Sequence, residues 1–140
     1  MRQDRSSARP VAPGQSPGAS QAPALGLAAL FTATGITHLV VPSFYDAIVP
    51  PWLPGSPGMW TLVSGLAELA CALALCVPAT RRAGATAAAL LLVAVFPANI
   101  QMAVDWRHRG LAEQLVAYGR LPLQVPLVAW ALWARRWAGR

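Results

Sequence analysis

Four long apolar runs dominate the pattern of this chain, and proline, glycine or arginine interrupts it between them. They cover about residues 24–41, 59–77, 83–104 and 121–134. The second run, Met59–Val77, holds 19 residues and a single acidic or basic side chain, Glu68. As a helix it is about 28 Å long, close to the hydrocarbon thickness of a bilayer. Backbone in lipid is satisfied only as helix or closed barrel, so each run reads as a helix, the first closed by Pro42 and the second by Pro78. The pattern therefore predicts an all-α fold, a four-transmembrane-helix bundle within residues 23–140. Residues 1–22 are different: rich in Pro, Gly, Ser and Gln, they have little to bury and predict a disordered N-terminal tail. They do not read as a signal peptide, because the apolar stretch that follows is long and lacks a convincing cleavage site.

Composition strengthens the membrane reading. Hydrophobic residues make up 56% of the chain and charged residues only 11%, less than half the share usual in soluble domains. The net charge of +6 does not point to nucleic acid, because the basic residues are scattered between apolar runs and form no basic face with interleaved aromatics. All 11 basic residues are arginine, which with the many alanines points to a GC-rich bacterial genome and hence a bacterial plasma membrane. Arg2, Arg5, Arg9, Arg81, Arg82, Arg135, Arg136 and Arg140 fall on one side of the expected bundle; Arg107, Arg109 and Arg120 fall on the other. The positive-inside rule then puts both termini in the cytoplasm. Trp133 and Trp137 at the inner ends, with Trp52, Trp60 and Trp106 at the outer ends, fit interfacial aromatic belts.

Glu68 is the residue that the pattern leaves least explained. A carboxyl group at mid-membrane costs about 2.5–3.5 kcal/mol on insertion scales, so it must face a partner or a cavity. Ser64, Gly65, Glu68, Cys71 and Ala72 share one stripe of the second helix, while Leu62, Leu66, Leu69 and Leu73 line the opposite side. Membrane helices meet through small residues, so Glu68 is expected to point into the bundle. Thr34, Gly35 and His38 share a face of the first helix, with His38 near its outer end. Pro97 removes a hydrogen bond to Val93 and predicts a kink just before Asn99. In the fourth run only 14 residues separate Arg120 from Arg135, about 21 Å of helix, so an arginine must snorkel or lie within the membrane shoulder. Arg120, one turn from Gln124, either reaches lipid phosphates or turns toward Glu68. His38, Glu68, Asn99, Arg120 and Gln124 thus form a candidate polar pocket in the outer half.

Other chemistry is sparse. Cys71 and Cys76 lie about 140° apart around a helix, so they do not pair within it, and both read as small core residues. His38 and His108 are too isolated to support a metal site, and no phosphate-binding glycine loop or nucleophile elbow is present. Pro42–Gly58, with Phe44, Tyr45, Ile48, Val49 and Trp52 among its prolines, reads as a stiff lid. Residues 105–119 read as a short interfacial helix.

The stretches GITHLVVPSFYDAIVPPWLPG, SGLAELACALAL, ATRRAGATAAALLLVAVFPANIQMAVD and RLPLQVPLVAWALW resemble the DoxX-like family of small bacterial membrane proteins. The resemblance runs from about Leu25 to Trp133. It rests on His38 with Pro42, the Ile48–Pro51 turn with Trp52, the Glu68 helix, Phe96–Gln101 and Arg120–Gln124. It implies a four-helix integral membrane protein and brings no agreed catalytic set; members are associated with quinone- or thiol-linked redox systems. Three functions are consistent with the residues. The first is a membrane redox subunit whose pocket accepts a quinone, with no other cofactor. The second is a non-catalytic scaffold that holds a protein partner in the lipid bilayer. The third is a lipid-modifying isomerase in which Glu68 and His38 move protons.

Overall fold

The computed structural model describes residues 21–138; the expected tail falls outside them except for Gln21 and Ala22. Among the described residues the chain is helical without strands. In order the helices are α1 (Ala22–Val40), α2 (Pro42–Asp46), α3 (Pro57–Cys76), α4 (Arg81–Ala94), α5 (Phe96–Asp105) and α6 (Leu111–Trp137). Four spans are long and apolar enough to cross a membrane: α1, α3, α4 with α5 taken together, and α6. The arrangement is that expected of a multi-pass membrane protein, and aliphatic side chains such as Leu62, Leu66, Leu73, Leu90 and Val125 are exposed along its outer surface.

Local chemistry sets the helix ends. Pro42 disfavours helical backbone at Val41, whose φ of −128° and ψ of 58° end α1. Ser56 caps α3, its hydroxyl accepting from the Met59 amide at 3.3 Å, and Pro57 occupies the first turn, where no donor is needed. At the other end of α3, Pro78 forces Val77 into extended backbone. The last carbonyls of α3 are then taken up by a buried arginine. Arg81 Nε donates to Leu75 O at 2.8 Å and its Nη2 to Cys76 O at 3.1 Å. A cation on the negative end of a helix dipole is favourable, and charged hydrogen bonds of this kind contribute about 1.5–3 kcal/mol. Arg81→Ala should therefore destabilise the protein by about 2 kcal/mol in denaturant titrations in detergent, whereas the exposed Arg82→Ala stays within about 0.5 kcal/mol. Equal effects would remove the capping role.

Two glycines bring α1 and α3 together. A Cβ on Gly35 would lie 3.0 Å from the Gly65 carbonyl, and one on Gly65 would lie 2.7 Å from His38 Cβ. Close backbone approach of this kind is how small residues drive helix pairing in lipid. The helices form a ring in which α3 packs on α1 and α4, and α6 on α4 and α1. The threonines of α1 keep their hydroxyls satisfied by bonding back one turn, Thr32 to Ala28 O at 2.8 Å and Thr34 to Leu30 O at 3.1 Å.

Two separate apolar clusters hold the bundle. One, at the end where α1 begins and α6 finishes, is built of small residues with Leu27, Phe31, Leu75 and Leu92. The other, at the opposite end, joins Ile48 to Met102, Ala103, Trp106 and Ala117.

Several details differ from the sequence expectations. Residues 111–119 are not a separate interfacial helix but the first third of α6, which continues through Pro122 and Pro126. Glu113 accepts from the Gly110 amide at 2.8 Å and starts that helix at the bundle end. Leu111, Leu115 and Val116 are exposed as on any lipid-facing stripe, while Ala117 is fully buried against the second cluster. The fourth span is thus 27 residues rather than 14, and Arg120 sits within it. Trp106 is buried in the second cluster against Phe44, with ring centroids 5.8 Å apart, so it does not belong to an aromatic belt. Cys71 is buried but Cys76 is exposed, so only the first is a core residue. Leu69 packs on Gly35 and leaves the outward leucine row.

Candidate functional site

The two apolar clusters leave a cavity of about 400 Å³ between them. All four spans and the segment between α1 and α3 line it, and His38, Glu68, Asn99, Arg120 and Gln124 are all on its wall. Its volume falls within the range of small-molecule pockets, about 300–1,000 Å³.

The cavity exists because the third span is broken. Pro97 has no N–H for Val93, and its ring crowds that carbonyl, so α4 ends at Ala94 and α5 begins at Phe96. Below the break α4 packs on α3 and α6; beyond it α5 packs chiefly on α6. The space vacated beside α3 is the cavity. Gln124 of α6 secures the break: its Nε2 donates to the Leu92 carbonyl, and its Oε1 accepts from Asn99 Nδ2 at 3.3 Å. Gln124 and Asn99, both buried, are therefore committed to holding the wall.

His38 and Glu68 face one another across the α1–α3 contact. His38 is in the last turn of α1, near the outer end as the sequence placed it, and there it meets Gly65, about halfway along α3. His38 Nδ1 lies 2.8 Å from the Thr34 carbonyl and 3.2 Å from Glu68 Oε2. A proton on Nδ1 is best aimed at the carbonyl, which leaves Glu68 Oε2 buried with no hydrogen-bond partner among the described residues. With Nδ1 so occupied, the neutral ring presents Nε2 as an acceptor.

Arg120 lines the same cavity without bonding to Glu68, so of the two placements the sequence allowed the contact with Glu68 is not made. Its Nη1 meets Met102 Sδ at 3.5 Å, and a thioether is only a weak acceptor. The longer α6 explains the difference: Arg120 projects from within the helix toward α5 rather than snorkelling from its end.

The 41–56 segment closes the cavity as the sequence suggested, through contacts the sequence did not show. The Tyr45 ring stacks on His38 with centroids 3.6 Å apart and planes at 22°, and its hydroxyl lies 2.6 Å from Thr37 Oγ1. Asp46 Oδ1 accepts from the Thr61 hydroxyl at 2.5 Å, and Trp60 Nε1 donates to the Pro54 carbonyl at 2.7 Å. Tyr45 and Asp46 are thus part of the site's construction. Only their place in an aromatic, proline-rich connection hinted at it. Among the described residues no three of His, Cys, Asp and Glu are grouped to hold a metal.

Comparison with known proteins gives one match. No curated protein and no solved structure matches the chain. A family model described as "Domain of unknown function (DUF8561)" matches residues 27–135, from within α1 to the last turn of α6 and including every cavity residue named above. By that match over most of its length, the chain belongs to the DUF8561 family.

Proposed function

We propose that this DUF8561 chain is a DoxX-like membrane protein whose cavity receives the head of a lipid-soluble quinone, as a subunit of a redox system in the bacterial plasma membrane. The observation that carries the reading is Glu68 Oε2, buried beside His38 without a hydrogen-bond partner among the described residues, on the wall of a mainly apolar cavity. An unbonded buried oxygen costs about 1–3 kcal/mol, and a ligand that bonds to it recovers that energy. The test is titration of a short-tailed quinone, in both oxidation states, into the protein in lipid nanodiscs. Trp52 and Trp60 line the cavity and serve as reporters. Saturable quenching by at least one state is expected, weakened about tenfold by Glu68→Gln. Quenching no different from partitioning into empty nanodiscs removes the reading.

Arg82, Arg135 and Arg136 at one end, against Arg107 and Arg109 at the other, support cytoplasmic termini. A membrane-impermeant thiol reagent on intact cells should then label His108→Cys and not Ala79→Cys; the reverse pattern inverts the orientation.

A second reading is favoured by the 3.2 Å separation of His38 Nδ1 and Glu68 Oε2. Two such groups within reach of one substrate carbon are what proton transfer in a lipid isomerase requires. Exchange of solvent deuterium into an enolisable lipid ketone, lost in both Glu68→Gln and His38→Ala, is the expected result. No exchange above the empty-nanodisc background excludes it.

A further inference from the structure

The unmet hydrogen-bonding groups of the cavity are unequal in kind. Glu68 Oε2 accepts from no described residue. His38 offers Nε2 as a second acceptor once its Nδ1 proton is directed at Thr34 O. The Arg120 guanidinium lines the same cavity but meets the Met102 sulfur on α5, and no acceptor on α3 among the described residues. The Glu68–His38 side of the cavity therefore presents acceptors in need of a donor, whereas the Arg120 donors lie toward α5.

One side of the cavity is also thin. Val63 of α3, with Ala94 and Pro97 at the α4–α5 break, line the cavity and are exposed. Because α5 packs chiefly on α6, α3 has no close neighbour on that side beyond the break. This gap faces the position of the acyl chains in a bilayer.

We infer that the cavity selects a membrane-dissolved molecule with a hydroxyl head group, such as an alkyl phenol. The hydroxyl donates to the Glu68 carboxyl group, and the tail leaves between α3 and the α4–α5 break. The inference rests on the cavity being a ligand site, as proposed above; within the quinone reading it selects the reduced, hydroxyl-bearing form. Satisfying a buried, unbonded acceptor changes affinity by about tenfold, enough to sort ligands that differ only in that donor.

The test compares 4-nonylphenol with its methyl ether, which has the same skeleton and no donor, using the full chain in nanodiscs and tryptophan emission as the readout. The phenol should bind at least tenfold more tightly than the ether. Glu68→Leu, an apolar replacement that a membrane helix accommodates readily, should bring the ratio close to one. Val63→Trp should weaken both long-tailed probes about tenfold and leave tailless 4-methylphenol unaffected. Equal binding of phenol and ether overturns the hydroxyl preference while leaving a ligand site in place. A preference that survives Glu68→Leu overturns the role given to that carboxyl, and unchanged binding to Val63→Trp overturns the tail path. Saturable binding of neither these probes nor the quinone couple overturns the ligand site itself.

Discussion

Gly65→Leu is expected to separate α1 from α3 and cost at least about 3 kcal/mol, at the upper end of overpacking penalties. The first atom added at that position would lie 2.7 Å from His38 Cβ and 3.2 Å from the Gly35 carbonyl. Neither neighbour is the free end of a flexible side chain. The helices must move apart, and the His38–Glu68 approach of 3.2 Å is lost with them. Denaturant titration in detergent should show the loss of stability, and ligand binding in nanodiscs should fall in parallel. Gly65→Ala should give a smaller version of both effects. Gly119→Ala is the control: a Cβ there meets nothing within 4 Å, and alanine in a helix interior is favoured over glycine by about 1 kcal/mol. If Gly65→Leu behaves like Gly119→Ala, close α1–α3 contact is not what assembles the site.

Gln124→Leu is the second large effect, through the polar network at the break. Removing the amide leaves the Leu92 carbonyl and the Asn99 side chain without the bonds that Gln124 makes to them. Buried groups stranded in this way cost about 1–3 kcal/mol each, although side-chain hydrogen bonds in membranes average only about 0.6 kcal/mol. The larger figure applies to the carbonyl, because Gln124 holds it at a point where the helix ladder is interrupted. About 3 kcal/mol is expected for the whole substitution. Asn99→Ala, which breaks only the 3.3 Å bond, should cost about 1 kcal/mol. The check is the order of the two in the same unfolding assay, with the cavity read by probe binding. Asn99→Ala exceeding Gln124→Leu would mean that the Leu92 carbonyl does not depend on Gln124.

Both predictions concern features that the sequence shows only in part. The apolar runs specify four spans because lipid leaves their backbone no other way to satisfy its hydrogen bonds. Pro97 marks a break for the equally local reason that it has no N–H. Small residues at Gly35 and Gly65 point to a close helix contact, and Glu68 on the same stripe points inward. What escaped the pattern depended on partners distant in the chain. Arg120 and the polar positions before it looked like the edge of a short span. In fact Ala117 packs against Ile48, Met102, Ala103 and Trp106, and the helix carries through. Trp106 looked interfacial and is core, because the 41–56 segment folds over it.

The sequence by itself therefore determined the number of spans, the break in the third and the inward turn of the carboxyl, all consequences of local backbone and solvation physics. Only the tertiary structure decided which groups are left unbonded. Gln124 and Asn99 are spent on each other and on the Leu92 carbonyl, whereas Glu68, on the cavity wall, keeps its Oε2 buried and unbonded among the described residues. That distinction depends on hydrogen-bond directions between different helices, and no pattern along a single chain encodes them.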